Sequence, residues 1–270
     1  MLSFFRKIRR SLIGSHRVKN YFLYAVGEVA LVMIGILLAL QINTWNQGRI
    51  NKMEEKRILA AVADEINNYR WQIKVGQDRF NEVLASSGRL ILWMNDPESN
   101  IPKDSIDQDL SLLTSRWLMG MSNESNIYDA LTGAGELGLV SSDELRTQLG
   151  YLKREMMLLA SYETFQTNFV DNHLFPFLNQ NFDGVGIIAI RSNIRKNRNQ
   201  FNPNPVIIPI DKGRFGVNYD ALKNNQYFSN LLVQHMTHTS ALLPIYRRLG
   251  ACVNNIDTIL ASVDPLLIEG

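Results

Sequence analysis

The sequence predicts a mainly α-helical protein, in which an N-terminal transmembrane helix continues into an extramembrane antiparallel helical bundle with a short irregular, β-prone insertion. Two observations lead to this fold class. An apolar stretch, Tyr21 to Leu40, contains one acidic or basic side chain, that of Glu28. Three long segments after it repeat apolar residues every three or four positions, the period of an amphipathic helix.

The apolar stretch is long enough to cross a membrane. Twenty helical residues at about 1.5 Å each give roughly 30 Å, the thickness of the hydrocarbon core. Aromatic residues at its ends, Tyr21 and Trp45, suit the two membrane interfaces. A cleaved signal peptide is the alternative, but the stretch exceeds the usual apolar length and Gln41 is a poor cleavage residue. An uncleaved anchor is therefore favoured.

Charges around the stretch predict its orientation. Six basic residues and no acidic one precede it: Arg6, Lys7, Arg9, Arg10, Arg17 and Lys19. The flank that follows mixes basic residues with Glu54 and Glu55. The positive-inside rule then gives a cytoplasmic basic amphipathic segment (1–20), a transmembrane helix (21–45) and an extracytoplasmic helical domain (46–270). The location is the inner membrane, with the C-terminal domain in the periplasm. The basic residues either only set topology, the simpler interpretation, or also bind anionic lipid.

Glu28 needs a reason inside an apolar span. A charge there costs up to ~2.5 to 3.5 kcal/mol on insertion scales. Glu28, Gly35 and Ala39 fall near one helix face, and the small residues allow a second helix to approach closely. These three residues are the candidate helix-packing site. The alternative is that Glu28 lies at the headgroups and that the span is Val29 to Trp45.

A long helix is predicted to follow without a break from Thr44 to Met94. It ends at Asn95-Asp96-Pro97. Its apolar stripe is close to a heptad seam and comprises Leu59, Val62, Ile66, Tyr69, Ile73, Gly76, Phe80, Leu84, Ser87 and Ile91. A second helix, Ser105 to Met119, is predicted with Asp104 as its N-cap.

The segment from Asn126 to Val140 is predicted to be a short helix broken by glycines. Gly133, Gly135 and Gly138 match the spacing of a dinucleotide fingerprint. That motif needs a preceding strand and a βαβ unit, and neither is predicted here. The match is therefore assigned to turns.

Two further long helices complete the predicted bundle. The first opens with a capping box, Ser141 to Glu144, and ends or kinks at Pro176. Its buried stripe is Leu145, Leu149, Leu152, Met156, Leu159, Tyr162 and Phe169. The last helix runs from Asp220 to about Val263, where Pro244 is expected to kink or split it. Its apolar faces are Leu222, Phe228, Leu231, Leu232, His235, Leu242, Ile245, Leu249, Val253, Ile256 and Leu260.

The helical pattern is lost in an insertion at 182–218. Short β-prone runs at Ile187 to Ile190 and Val206 to Ile210 suggest a small hairpin. A basic set is the candidate contact surface: Arg191, Arg195, Lys196 and Arg198. It either receives an anionic group or belongs to a solvated loop.

No catalytic, cofactor or metal site is predicted. The net charge of +2 argues against nucleic acid as a partner. The single cysteine, Cys252, excludes an internal disulfide and is assigned to the core. His235 and His238 share a helix face without a further ligand, so one buried and one surface histidine is the simpler interpretation.

The N-terminal region resembles a family of single-pass membrane proteins of Gram-negative bacteria, defined only as a domain of unknown function. The resemblance rests on FFRKIR at 4–9, YAVGEV at 24–29 and IGILLALQINTWN at 34–46, and more weakly on 128–131, 135–137 and 224–231. Gly133-Ala134 departs from it, because the family's short helix has serines there. The resemblance implies a membrane anchor and a mostly helical outer domain, with no activity, cofactor or catalytic residue to transfer.

Two functions follow from these observations. The first is a non-catalytic, membrane-anchored helical protein that acts as a scaffold or interaction module of the cell envelope. Its partners would be the membrane and either a second copy or another envelope protein. The alternative is a periplasmic ligand-sensing or binding domain that signals through a partner membrane protein, which rests on analogy of fold. An enzyme would require a cleft that gathers His173, His235 or several carboxyl groups.

Overall fold

A computed structural model of the chain describes residues 18–113, 127–182 and 216–263. These residues are mainly helical, and they contain no strand. The α-helices are α1 (Val18–Asn95), α2 (Lys103–Leu113), α3 (Ile127–Gly133), α4 (Asp143–Phe169), α5 (Phe175–Asn181), α6 (Tyr219–Lys223) and α7 (Gln226–Val263). A 3₁₀ turn (Leu137–Leu139) precedes α4, and a π turn (Val170–Leu174) joins α4 to α5. The predicted mainly α class is confirmed for the described residues.

The chain divides into two compact units, Met1–Arg57 and Ile58–Gly270. In the first unit, α1 exposes its apolar side chains on all sides from Phe22 to Trp45. By length and composition this is the one helix among the described residues that is able to cross a membrane, and none of its most apolar stretch is buried. The helix is therefore compatible with a single-pass membrane protein. A signal sequence passes the same test.

The second unit has a core built from three helices. Residues of α1, α4 and α7 supply most of a first apolar cluster, which includes Ile66, Ile73, Leu149, Met156 and Leu249. A second cluster combines the end of α1 with α2, α5 and the start of α7, and it includes Leu90, Leu110, Leu178, Phe228 and Leu231. Each fully buried side chain of this size contributes about 1.5–3 kcal/mol, so the packing of these faces is the main source of stability.

Contacts between helices give their relative directions within this unit. Arg70 of α1 pairs with Asp257 of α7, whereas Ser87, further along α1, contacts His235, near the start of α7. Chain order along α7 is thus opposite to that along α1. The contacts of α4 with α7 follow the same rule, because Glu155 pairs with Arg248 and Gln166 bonds Thr239.

The predicted stripe of α1 is correct in its first half and shifts in its second. The predicted positions from Leu59 to Phe80 are buried, but Leu84 and Ile91 are partly exposed. Val83, Leu90 and Trp93 are buried in their place, together with Ser86, whereas Ser87 is buried as predicted. A straight helix of 3.6 residues per turn drifts from a seven-residue repeat, so a heptad seam cannot keep facing one partner over this length. The helix ends at Asn95, as predicted.

Neither of two predicted N-caps occupies the cap position of its helix. Helix α4 is capped by Ser142, whose side chain accepts a hydrogen bond from the Leu145 N–H at 3.1 Å, and not by Ser141. Asp104 lies inside the first turn of α2 and not at its cap. An acidic side chain there still faces the positive end of the helix dipole. In the predicted buried stripe of α4, Tyr162 is in fact exposed, and the polar side chains of Glu163 and Gln166 are buried instead.

The break in the last helical segment comes earlier than predicted. Pro244 lies within α7 and does not split it. The chain breaks at Asn224 and Asn225, between α6 and α7, where the Asn225 side chain accepts a hydrogen bond from the Phe228 N–H at 2.9 Å. An asparagine cap supplies a partner for a donor that the first helical turn leaves free, so it favours a new helix start at this point.

Pro176 interrupts α-helical hydrogen bonding, as predicted, through a π turn. The Phe175 N–H bonds the carbonyl oxygen of Val170, five residues back, and Pro176 then lies in the first turn of α5. A proline ring crowds the carbonyl group four residues before it and offers no N–H. The wider turn accommodates both effects, and α5 continues afterwards. The predicted hairpin, and the end of the second predicted helix beyond Leu113, lie outside the described residues.

A glycine of α1 makes room for the packed ring of Tyr246. A Cβ atom at Gly76 would lie 2.5 Å from Cε1 of the buried Tyr246 ring. We expect Gly76→Ala to lower the free energy of unfolding by about 1–3 kcal/mol, because the packed ring must move. Urea denaturation of the detergent-solubilised chain would measure this.

Gly88→Ala, on the same helix, is the matched control. A Cβ atom at Gly88 meets nothing within 4 Å. Its higher helix propensity should make that variant about 0.5–1 kcal/mol more stable. Equal effects at the two glycines would contradict the close packing of α1 on Tyr246.

Candidate functional site

Buried polar side chains form a layer within the core of the second unit. This polar layer comprises Ser87 of α1, Glu163 and Gln166 of α4, and His235, Thr239 and Tyr246 of α7. Along the helices the first five of these residues fall between stretches of the two apolar clusters, whereas Tyr246 belongs to the first cluster itself. Buried polar groups are costly unless they are hydrogen-bonded, so their pairing decides what the layer does.

His235 connects α7 to α1. Its Nδ1 atom lies 3.1 Å from Ser87 Oγ, which is also 3.0 Å from the Val83 carbonyl oxygen. Burial, with a smaller effect of neighbouring His238, lowers the pKa of His235 to about 4, although a hydrogen bond with the Leu113 backbone opposes the shift. The ring is therefore neutral at pH 7 and serves as a hydrogen-bonding core residue.

Thr239 and Gln166 connect α7 to α4. Gln166 Nε2 donates to Thr239 Oγ1 at 2.8 Å, and the threonine hydroxyl donates to the His235 carbonyl oxygen at 2.7 Å. The threonine thus uses its single hydrogen within its own helix and its lone pair across the interface. Such a chain of bonds forms only in one register of the two helices.

Tyr246 of α7 contacts two other helices. Its hydroxyl donates to Glu163 Oε1 at 2.9 Å, and its ring lies against Gly76 and at 5.6 Å from the Phe80 ring. Burial raises the pKa of the Tyr246 hydroxyl far above its usual range, and the Glu163 carboxyl group adds to this effect. The tyrosine therefore stays protonated and remains a donor at all physiological pH values.

Ion pairs also join helices of the second unit. Arg89 of α1 binds the buried Asp109 of α2 through two nitrogens, with Nε to Oδ2 at 2.9 Å. Arg248 Nε of α7 donates to Glu155 Oε2 of α4 at 2.8 Å. Each pair joins two helices by charge-assisted hydrogen bonds.

The histidines and the cysteine that the sequence singled out differ in their exposure. His235 is buried and His238 is partly exposed, with its ring in edge contact with Phe165 at 4.6 Å and Phe169 at 4.7 Å. His173 is exposed. Cys252 is only partly buried, and burial raises the pKa of its thiol, so it is a poor nucleophile. Among the described residues, no three His, Cys, Asp or Glu side chains are grouped so as to hold a metal ion.

The candidate helix-packing residues lie on the exposed apolar helix. Glu28, Gly35 and Ala39 are all exposed, and a Cβ atom at Gly35 would meet nothing within 4 Å. The surface around Gly35 is open to another helix. The basic candidate surface, Arg191, Arg195, Lys196 and Arg198, lies outside the described residues.

Sequence analysis missed Glu163, Gln166, Thr239 and Tyr246. A signal was present, because Glu163 and Gln166 occupy positions between Leu159 and Phe169 at the spacing of the buried stripe. A charged side chain at such a position needs a buried partner, and Tyr246 lies 83 residues away in the chain. Spacing along the sequence does not identify a partner at that distance.

The Tyr246 hydroxyl is expected to contribute measurably to stability. Tyr246→Phe leaves Glu163 without this donor and should lower the free energy of unfolding by about 1–3 kcal/mol. Tyr162→Phe, at an exposed position of α4, is the control and should change it little. Adding Glu163→Gln to Tyr246→Phe should recover part of the loss in a double-mutant cycle. Strictly additive effects would show that the two side chains do not interact.

His235 predicts a pH dependence of stability. In the unfolded chain the His235 ring is protonated near pH 6.5, whereas in the folded chain it is protonated only near pH 4. The contribution of neutral His235 to the free energy of unfolding is therefore fully present above pH 6.5. It decreases as the pH falls towards 4, by at most about 1.4 kcal/mol per pH unit.

The variant His235→Asn keeps a hydrogen-bonding group near Ser87 but cannot titrate. It should flatten this slope in thermal unfolding measured between pH 7 and pH 5. His173→Asn, at an exposed position, should not. An unchanged slope in His235→Asn would assign the pH dependence to other groups.

Comparisons with protein-family models, curated proteins and solved structures find no match to this chain. Function must therefore be inferred from the residues themselves. Two features of the described residues stand out chemically: the exposed apolar helix of the first unit and the hydrogen-bonded polar layer of the second.

Proposed function

We propose that the chain is a non-catalytic, single-pass membrane protein that acts as a scaffold or interaction module of the cell envelope. The observation that carries this proposal is the exposure of apolar side chains on every face of α1 from Phe22 to Trp45. In water, each large side chain of this kind forgoes about 1.5–3 kcal/mol of burial. A bilayer removes that cost for the whole segment at once.

Charge placement supports an orientation with the N-terminus in the cytoplasm. The basic residues before the span, with no acidic residue among them, match the positive-inside rule. The helical domain is then periplasmic, and the anchor lies in the inner membrane. The N-terminal resemblance to single-pass membrane proteins agrees with this assignment.

The polar layer supports a structural role for the domain. Its side chains are hydrogen-bonded mainly to one another, across α1, α4 and α7. Buried pairing of this kind favours one register of the helices over others. We infer an antiparallel helical bundle as the architecture, because α7 contacts both α1 and α4 in opposite chain order. A rigid bundle on an anchor is suited to holding partners in place.

The span itself is a further contact surface in this proposal. Gly35 and Ala39 leave room for a second helix, and Glu28 offers a carboxyl group on the same face. An intramembrane carboxyl group is stabilised by a polar partner on a neighbouring helix. The partner is either a second copy or another envelope protein.

Topology is tested by labelling cysteines in whole cells with a maleimide that does not cross the inner membrane. In a Cys252→Ala background, we expect Ala261→Cys to be labelled in intact cells and Ser3→Cys only after permeabilisation. Neutralising Arg6, Lys7, Arg9 and Arg10 should reduce the difference, because these charges set the orientation.

Two outcomes would contradict the proposal. Labelling of Ser3→Cys in intact cells would reverse the topology. Loss of Ser3 from the mature chain, seen by mass spectrometry, would identify a cleaved signal peptide.

A thermal-shift screen distinguishes the ligand-sensing alternative from the scaffold, because a ligand at 100 times its dissociation constant stabilises a protein by about 2.7 kcal/mol.

A further inference from the structure

We draw no further inference here: the strongest candidate, the exposed apolar face of α4 formed by Tyr151, Leu158, Tyr162 and Phe165, also carries the exposed cation Arg154, and nothing in the described residues shows what covers it.

Discussion

The hydrogen bond from Tyr246 to Glu163 constrains three helices of the second unit at once. The tyrosine belongs to α7, its ring occupies the space above Gly76 of α1, and its hydroxyl satisfies a buried carboxyl group of α4. A slip of either neighbouring helix would place a Cβ atom against the ring or leave the carboxyl group without this donor. Apolar packing alone tolerates such slips better, because contacts between apolar side chains are not directional and can be exchanged between registers. Directional bonds in the polar layer therefore select one arrangement, at a cost in desolvation that the adjoining apolar clusters offset.

The two units differ in where they place their apolar side chains. In Ile58–Gly270, apolar side chains of α1, α4 and α7 are buried against one another and the polar ones pair inside. In the first unit, α1 presents apolar side chains outward, and none of its most apolar stretch is buried within the described residues. A single helix, Val18–Asn95, thus has exposed apolar side chains in its first segment and buried ones in its second. Its sequence changes accordingly, from apolar on all faces to apolar on one face with a helical period.

Helix ends show how far local sequence determines structure. The end of α1 at Asn95 and the interruption before Pro176 were predictable, because proline restricts its own backbone and that of its neighbours. The start of α4 was displaced by one residue, since Ser141 and Ser142 are both suitable caps and only the packing of the first turn selects between them. Helix α2 begins at Lys103, two residues before its predicted start at Ser105. The break at Asn225 was missed, and the helix is not split at Pro244. A helix whose faces are held by α1 and α4 tolerates a proline that would break an isolated helix.

The sequence by itself determined the helical class, the apolar segment near the N-terminus and most of the buried positions of α4 and α7. These depend on composition and on short-range periodicity, which are local properties of the chain. Only the tertiary structure decided how the buried polar side chains are paired, because partners such as Ser87 with His235 and Glu163 with Tyr246 are far apart in sequence. The structure also decided that Tyr162 faces outward beside Leu158 and Phe165, since α4 carries two apolar faces and one helical period cannot say which of them the core covers. The physical reason is the same in both cases: periodicity defines a face, whereas burial depends on what another part of the chain places against it.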